Sequence, residues 1–290
     1  MLTLTTIAEL RETLYPWRQQ NERIALVPTM GNLHDGHLRL VKEAKSCADR
    51  VVVSIFVNPL QFTDASAAGG DFDRYPRTPA QDSGRLERSG VDLLFAPPVE
   101  EVYAAGLAQV TRVEVPGISD ILCGEFRPGH FTGVATVVAK LFNMVQPDVA
   151  LFGEKDYQQL LVIRRLTAEL CYPVEIIGVP TVREANGLAM SSRNQYLSAG
   201  ERERAAALFQ TLTWVKDRLK AGDDGFARLE AEAAQQLEAA GFRPEYVSIR
   251  RAADLQPAKA GDAGVVILAA AWLGSARLID NLQVSAKNSL

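Results

Sequence analysis

The alternation of apolar and mixed segments along the first 180 residues predicts strands that alternate with helices. RIALVP (23–28) is an apolar run, and GHLRLVKEAKSCADR (36–50) follows it with apolar residues at helical spacing. The next segment, VVVSIFVNP (51–59), is nearly all apolar and β-branched. Strands that are buried on both faces have this composition, as in a parallel sheet. We therefore expect a strand–helix–strand unit at the start of the chain.

The same pattern continues to about residue 181. Further strands are predicted at 91–97, 148–153 and 174–180, and further helices at 5–20 (closed by Pro16 or shortly after), 131–147 and 155–170. Repeated βα units predict the α/β class, with a doubly wound, Rossmann-like parallel sheet. Ligands of such sheets bind at the carboxyl ends of the strands.

The composition changes after residue 181. Two alanine- and glutamate-rich helices are expected at about 199–221 and 225–240, and EYVSIR, GVVILAAAWLG and ARLIDNLQV then have the composition of strands in a small antiparallel sheet. We therefore predict a Rossmann-like domain over 1–181 and a smaller α+β C-terminal domain over 182–290. Segment 63–73 is small, polar and glycine-bearing, which is typical of a mobile loop or lid.

Composition and charge narrow the class of protein. The chain has 290 residues, of which 47% are hydrophobic and 23% charged, which is ordinary for a soluble globular enzyme. The net charge is −4 and no basic block is present, so neither a nucleic acid nor an anionic membrane is an expected partner. The three cysteines are far apart without a CxxC, and we expect neither a signal peptide nor a membrane span. A cytoplasmic location fits these features.

The familiar nucleotide-binding and hydrolase motifs are absent. The sequence contains no GxxxxGK[ST], no GxGxxG, no HExxH and no GxSxG. With three histidines in the chain, most histidine-based metal sites and Ser-His triads are difficult to build.

Two of the three histidines lie in the tetrapeptide HDGH, at His34 and His37, directly after a predicted buried strand. The start of a helix carries unpaired N–H groups and a positive partial charge, which makes it a natural phosphate site. Gly36 allows close approach of a ligand, and two imidazoles can stabilise developing negative charge. The alternative interpretation is structural, with Asp35 as the helix cap and the histidines as surface or core residues.

Two further segments carry cations beside predicted helix starts. FGEKDYQQL (152–160) places Lys155 and Asp156 at a strand–helix junction, and GLAMSSRNQYLS (187–198) offers hydroxyls and a guanidinium that match a polyphosphate. Capped helices with a surface lysine or arginine would explain either segment as well. Gln61, after a buried strand, could orient a small polar substrate, whereas His130 is interpreted as a satisfied core residue.

Taken together, these segments resemble one family. HDGH resembles the HxGH motif of the nucleotidylyltransferase and class I synthetase superfamily, and MSSR is similar to that superfamily's mobile KMSKS signature. More narrowly, the chain resembles pantothenate synthetase, in that family's order over residues 27 to 281, through the segments VPTMGNLHDGH, VSIFVNPLQF, YPRT, RPGHFTGV, FGEKDYQQL, GVPTVRE, GLAMSSRNQYL and ARLIDN.

The resemblance implies an ATP-dependent carbon–nitrogen ligase, pantoate–β-alanine ligase. In this reaction the carboxylate of pantoate attacks the α-phosphorus of ATP to give pantoyl adenylate and pyrophosphate. The amine of β-alanine then attacks the acyl carbon to give pantothenate and AMP. Magnesium accompanies the ATP, and a homodimer is implied.

The resemblance also implies roles for particular residues. His37, His34 and Lys155 are the implied catalytic residues, with His37 stabilising the leaving pyrophosphate or giving it a proton. Gln61 and Gln159 are implied to hold pantoate, and Gln61 could also help to place β-alanine. The implied ATP-binding residues are Met30, Gly31, Asn32, Leu33, His34, Asp35, Gly36, His37, Gly153, Glu154, Lys155, Asp156, Val182, Met190, Ser191, Ser192 and Arg193.

The resemblance leaves some questions open. The metal ligands are not identified, although Asp82 and Asp156 are candidates. The sequence departs from the family in the composition of loop 63–73 and in Cys123, neither of which touches the motifs above. The alternative hypotheses are a nucleotidylyltransferase acting on a phosphorylated acceptor and, outside enzymes, a regulatory protein that binds ATP without turnover.

Overall fold

The computed structural model describes residues 1–62 and 71–285. The chain forms two compact units, of which the first comprises Met1–Glu154 and Val162–Pro180 and the second Lys155–Leu161 and Thr181–Leu290. Segment 63–73 was predicted as a mobile loop or lid; residues 63–70 lie outside the described residues, and 71–73 belong to the short helix Asp71–Arg74. Among the described residues, no helix combines the length and the apolar character that crossing a bilayer requires.

The first unit contains a six-stranded, entirely parallel sheet in the order β1-β4-β3-β2-β5-β6. Its strands are β1 Leu2–Leu4, β2 Ile24–Thr29, β3 Arg50–Ile55, β4 Leu93–Phe95, β5 Val149–Gly153 and β6 Glu175–Val179. Ala25 of the central β2 is paired with Val51 on one side and with Val149 on the other. The strand order therefore reverses at β2, and a crevice at its carboxyl end is expected to hold the ligand.

Helices connect these parallel strands. They are α1 Ile7–Gln19, α2 Asp35–Cys47, α3 Asp71–Arg74, α4 Pro79–Arg88, α5 Val99–Val102, α6 Cys123–Phe126, α7 His130–Val145 and α8 Tyr157–Glu169. Leu40, Val41 and Ala44 of α2 are buried in a core cluster with strand residues such as Val27 and Val53. This packing fixes the start of α2 next to the end of β2.

The second unit is α+β, as predicted. Its helices are α9 Ala199–Arg204, α10 Ala206–Lys220 and α11 Phe226–Ala239, and its strands are β7 Arg243–Arg251, β8 Gly264–Leu273 and β9 Ala276–Ser285. The strands form an antiparallel sheet in the order β7-β8-β9. Leucines of α10 and α11, including Leu212 and Leu229, share a core cluster with Ile267 of β8.

Helix α1 continues through Pro16 and ends at Gln19, in agreement with the expected helix over 5–20 that closes shortly after Pro16. One other helix was predicted wrongly, and one strand was missed. The expected helix over 199–221 is two helices that meet at Ala205. The sequence pattern also missed β1, whose three residues are largely exposed at the edge of the sheet.

Candidate active site

The turn between β2 and α2 is held by a buried carboxylate. Gly31 and Asn32 have left-handed backbone conformations, with φ of 79° and 49°. The backbone N–H groups of Asn32 and Leu33 donate to the two oxygens of Asp82, at 2.9 and 2.8 Å. Thr78 donates its hydroxyl to the same carboxylate at 3.0 Å. Asp82, a sequence candidate for binding magnesium, is 2% exposed and braces the turn that carries HDGH.

The two histidines of HDGH cap the helix that they begin. The Nδ1 atom of His34 accepts the backbone N–H of Gly36 at 3.1 Å, and the Nδ1 atom of His37 accepts the backbone N–H of His34 at 3.2 Å. The residue that caps α2 is thus His34, while Asp35 is exposed as the first helical residue. The alternative in which Asp35 is the cap is therefore wrong.

These hydrogen bonds determine the tautomer of each ring. Because a backbone N–H can only donate, each Nδ1 presents its lone pair, and the proton of each neutral ring is on Nε2. The ring centroids of His34 and His37 lie 4.1 Å apart. Two imidazole N–H donors are therefore paired at the positive end of α2, an arrangement suited to a phosphate or another anion.

Gln61 lies next to this turn. It ends a short 3₁₀ turn, Pro59–Gln61, which follows β3, and its side chain is buried. Its Nε2 atom contacts the sulfur of Met30 at 3.1 Å. The structure therefore brings the implied pantoate residue Gln61 into contact with the implied ATP-binding residue Met30.

The backbone of Gln61 is held by the start of α7. The Nδ1 atom of His130 lies 2.8 Å from the carbonyl oxygen of Gln61, and Arg127 contacts the Nε2 atom of the same ring at 3.2 Å. His130 is 7% exposed, in agreement with its interpretation as a satisfied buried residue. Its connection to Gln61 was missed from the sequence, because nothing local to RPGHFTG indicates a partner about 70 positions earlier.

At Gly133, the backbone of α7 comes close to the segment that carries Leu60 and Gln61. A Cβ atom at this position would lie 2.6 Å from the backbone nitrogen of Gln61 and still closer to the carbonyl oxygen of Leu60. Any side chain at position 133 would collide with the segment that carries Gln61. The second glycine of RPGHFTG, Gly133, therefore allows α7 to support this segment.

In the second unit, Lys155 and Asp156 lie in the 3₁₀ turn Glu154–Asp156, which precedes α8. The side chain of Asn281, in β9, donates to the carbonyl oxygen of Lys155 at 2.9 Å. Gln159, the other implied pantoate residue, is partly buried in the first turn of α8, and Asp156 is exposed. The motif ARLIDN thus contributes by holding the backbone that carries the lysine.

The MSSR segment, residues 190–193, lies in the second unit and is held in place by hydrogen bonds. The backbone N–H of Met190 donates to the carbonyl oxygen of Val182 at 2.9 Å, and Ser191 accepts the N–H of Arg193 at 3.2 Å. Asn194, which is 5% exposed, donates to Glu184 at 3.0 Å. The hydrogen bond from Arg202 lowers the pKa of Glu184, against a weaker opposite effect of burial. The segment is therefore anchored on both sides of its two serines.

A buried ion pair supports the same region. The guanidinium of Arg183 makes a bidentate contact with Asp280 of β9, at 2.6 and 2.9 Å, and packs over the ring of Phe209. Asp280 is 3% exposed. The motifs GVPTVRE and ARLIDN were recognised in the sequence, but neither residue was assigned a role. No local signal links the two residues, because they are 97 positions apart in the sequence.

The implied site residues fall into both units. The first unit contains Met30 to His37, Gln61, Gly153 and Glu154, and the second contains Lys155, Asp156, Gln159, Val182 and Met190 to Arg193. Within 1–62 and 71–285, no group of three or more histidine, cysteine, aspartate or glutamate side chains is arranged to hold a metal ion.

These features define a class, the doubly wound α/β proteins whose central strand leads into a helix start suited to phosphate. The family model described as pantoate-beta-alanine ligase matches residues 2–283. The chain therefore belongs to the pantoate-beta-alanine ligase family and is an enzyme of the ATP-dependent ligase class. This membership favours the ligase over the nucleotidylyltransferase and the regulatory protein that the sequence left as alternatives.

Individual relatives agree with the family model. The pantothenate synthetase of Idiomarina loihiensis is 58% identical over 285 residues, and that of Alkalilimnicola ehrlichii is 55% identical over 284 residues, each match covering 98% of both chains. The crystal structure of pantothenate synthetase from Thermus thermophilus is similar with a TM-score of 0.90 and 47% identity, over 99% of this chain and 100% of that one.

A further solved relative was determined with ligands. It is the pantoate-beta-alanine ligase of Francisella tularensis, described as complexed with beta-gamma ATP and beta-alanine. Its TM-score to this chain is 0.81 at 34% identity, and the match covers 97% of each chain.

Proposed function

We propose that this enzyme joins pantoate to β-alanine through a pantoyl-adenylate intermediate. In the first step a carboxylate oxygen of pantoate attacks the α-phosphorus of ATP, and the bond to the bridging oxygen breaks to release pyrophosphate. In the second step the amine of β-alanine attacks the acyl carbon, the bond to the phosphate oxygen breaks, and AMP leaves while the amine loses a proton. Family membership and the ligands of the Francisella relative support this proposal.

The proposal for the first step rests on the paired imidazoles of His34 and His37. Adenylation accumulates negative charge on the phosphates, so the reaction needs positioned donors more than it needs a nucleophile. Because both Nδ1 atoms accept backbone N–H groups, both rings present Nε2–H donors at the positive end of α2. We assign His37 to the leaving pyrophosphate, as a hydrogen-bond donor or proton source.

The remaining roles follow the family resemblance. Lys155 and Arg193 supply positive charge to the phosphates, with Ser191 and Ser192 as hydroxyl donors. The other residues proposed to bind ATP are Met30, Gly31, Asn32, Leu33, Asp35, Gly36, Gly153, Glu154, Asp156, Val182 and Met190. Gln61 and Gln159 are proposed to bind pantoate.

We also propose that ATP is used with Mg²⁺. Magnesium in phosphoryl-transfer sites commonly takes most of its ligands from substrate phosphates and water, with one or two protein carboxylates. The absence of a preformed acidic cluster among the described residues fits a cation that enters with the nucleotide, and the exposed Asp156 is the better candidate ligand. The bound cation would neutralise phosphate charge.

A product assay tests the reaction. The enzyme is incubated with ATP, Mg²⁺, pantoate and β-alanine, and each component is omitted in turn. We expect pantothenate, AMP and pyrophosphate in equal amounts only in the complete mixture. Pantoate and ATP alone, with excess inorganic pyrophosphatase, should yield pantoyl adenylate bound to the enzyme. Pyrophosphate release without pantoate, or with a phosphorylated acceptor in its place, would contradict the proposal.

Two properties of the whole protein remain proposals. We propose a homodimer in the cytoplasm, on the basis of the family resemblance. Sedimentation-velocity measurements across a hundredfold range of concentration should give a single species of twice the chain mass. The interpretation of 1–181 as the domain for ATP and pantoate, and of 182–290 as a lid, stays a prediction.

A further inference from the structure

Two backbone groups favour one orientation of the side-chain amide of Asn58, which follows β3. The backbone N–H of Leu60 donates to its Oδ1 atom at 3.3 Å, and its Nδ2 atom donates to the carbonyl oxygen of Gly133 at 3.0 Å. One of these backbone groups can only donate and the other can only accept. The oxygen and nitrogen of the amide cannot be exchanged without losing both hydrogen bonds. Asn58 is 1% exposed, so water cannot replace them.

Tyr103 is a second donor to the same oxygen of Asn58. Its hydroxyl donates to Oδ1 at 2.7 Å, and its side chain is 2% exposed. Burial raises the pKa of the Tyr103 phenol, so the hydroxyl keeps its proton. The ring packs against Phe56 with centroids 5.9 Å apart, which fixes the position of the hydroxyl.

The fixed amide of Asn58 determines the orientation of Gln61. The Nδ2 atom of Asn58 donates to Oε1 of Gln61 at 3.2 Å, so that atom must be the carbonyl oxygen. The NH₂ group of Gln61 is then the end that lies 3.1 Å from the sulfur of Met30. A thioether is a weak acceptor, and an oxygen atom of a ligand would be a much better one.

We infer that Tyr103 is a positioning residue, which acts through Asn58 to hold Gln61 with its NH₂ group as the donor offered to the acid substrate. This inference rests on the proposed role of Gln61 in binding pantoate. It defines the chemistry of the subsite, because a donor fixed in this way selects a hydroxyl or carboxylate oxygen. A protonated ammonium group would face it donor to donor, so Gln61 would not hold β-alanine by its ammonium form.

A double-mutant cycle tests whether Tyr103 acts through Gln61. Tyr103→Phe keeps the ring and removes the hydroxyl. We expect the KM for pantoate to rise about five- to tenfold, which is the effect of one lost buried hydrogen bond, with the KM for ATP changed less than twofold. In a Gln61→Ala background, Tyr103→Phe should raise the KM for pantoate no further, because the group that it positions is absent.

The matched control is Tyr172→Phe, which removes a phenol hydroxyl that contacts Asn143 and the carbonyl oxygen of Ala139 in the same unit. It should leave both KM values unchanged. Equal increases in the KM for ATP and for pantoate, or additive effects in the Gln61→Ala background, would overturn the inference.

A second comparison tests the inference even if Tyr103→Phe does not fold. Gln61→Glu replaces the NH₂ group by an oxygen, whereas Gln61→Ala removes the side chain. If the NH₂ group meets the substrate, the KM for pantoate should rise more in Gln61→Glu than in Gln61→Ala. The opposite order would show that the carbonyl oxygen meets the substrate, and the inference would fail. Failure of the proposed function is distinguishable, since wild-type enzyme would then form no pantothenate.

Discussion

The substitution Asp82→Asn tests how far the hydrogen bonds of the Asp82 carboxylate hold the HDGH turn in position. The carboxylate accepts the backbone N–H groups of Asn32 and Leu33 and the hydroxyl of Thr78, all within 3.0 Å. Asparagine has nearly the same shape but only one acceptor oxygen. Its NH₂ group would therefore face at least one N–H or O–H donor in a buried place. Asp82 contacts the implied ATP-binding residues Asn32 and Leu33 through their backbone N–H groups, so its effect on activity reports the position of the turn.

The expected magnitude follows from the number of hydrogen bonds. With the amide oxygen accepting from Asn32 and Thr78, the hydrogen bond to Leu33 is lost. A hydrogen bond to a charged group contributes about 1.5–3 kcal/mol. For a unit of this size, Tm changes by about 2–4 °C per kcal/mol, so Tm should fall by about 3–12 °C. A displacement of the turn by about 1 Å would lower kcat about a hundredfold.

The assay compares Tm with kcat for Asp82→Asn and for a control, Asp92→Asn. The Asp92 carboxylate also accepts a backbone N–H, that of Val51 at 2.8 Å, and it lies at the opposite end of β3 from the proposed site. The control should lose stability with little loss of kcat. If Asp82→Asn lost stability while its kcat matched that of the control, the turn would not depend on this brace and the reasoning would be refuted.

The remaining predictions concern single contacts. His37→Ala should lower kcat at least a hundredfold and unfolding free energy by only about 1 kcal/mol, and equal initial rates for mutant and wild type would contradict its role. Gly133→Ala should lower stability by about 1–3 kcal/mol in urea titrations, because its methyl group overlaps the Leu60 carbonyl; unchanged stability would contradict the close approach. Glu184→Gln should destabilise above pH 4.5 and progressively less below it, since the lowered pKa of Glu184 contributes stability that is lost as pH falls. A difference in Tm that does not shrink as the pH is lowered below 4.5 would refute this linkage.

The fold could be predicted from the sequence where buried strands and helices have a distinctive local pattern of apolar residues. The apolar runs of β2, β3 and β5 and the helical spacing of α2 identified the parallel sheet, because strands and helices that are buried in layers have little freedom in composition. The break between α9 and α10 at Ala205 was not visible in the sequence pattern.

The site could be predicted in part for a related reason. HDGH is local, since a helix start brings His34 and His37 together through its own geometry. The groups that hold the site are distant along the chain. Asp82 lies 49 and 50 positions from its backbone partners, and Tyr103 lies 45 positions from Asn58. No periodicity encodes such contacts, and the tertiary structure alone reveals them.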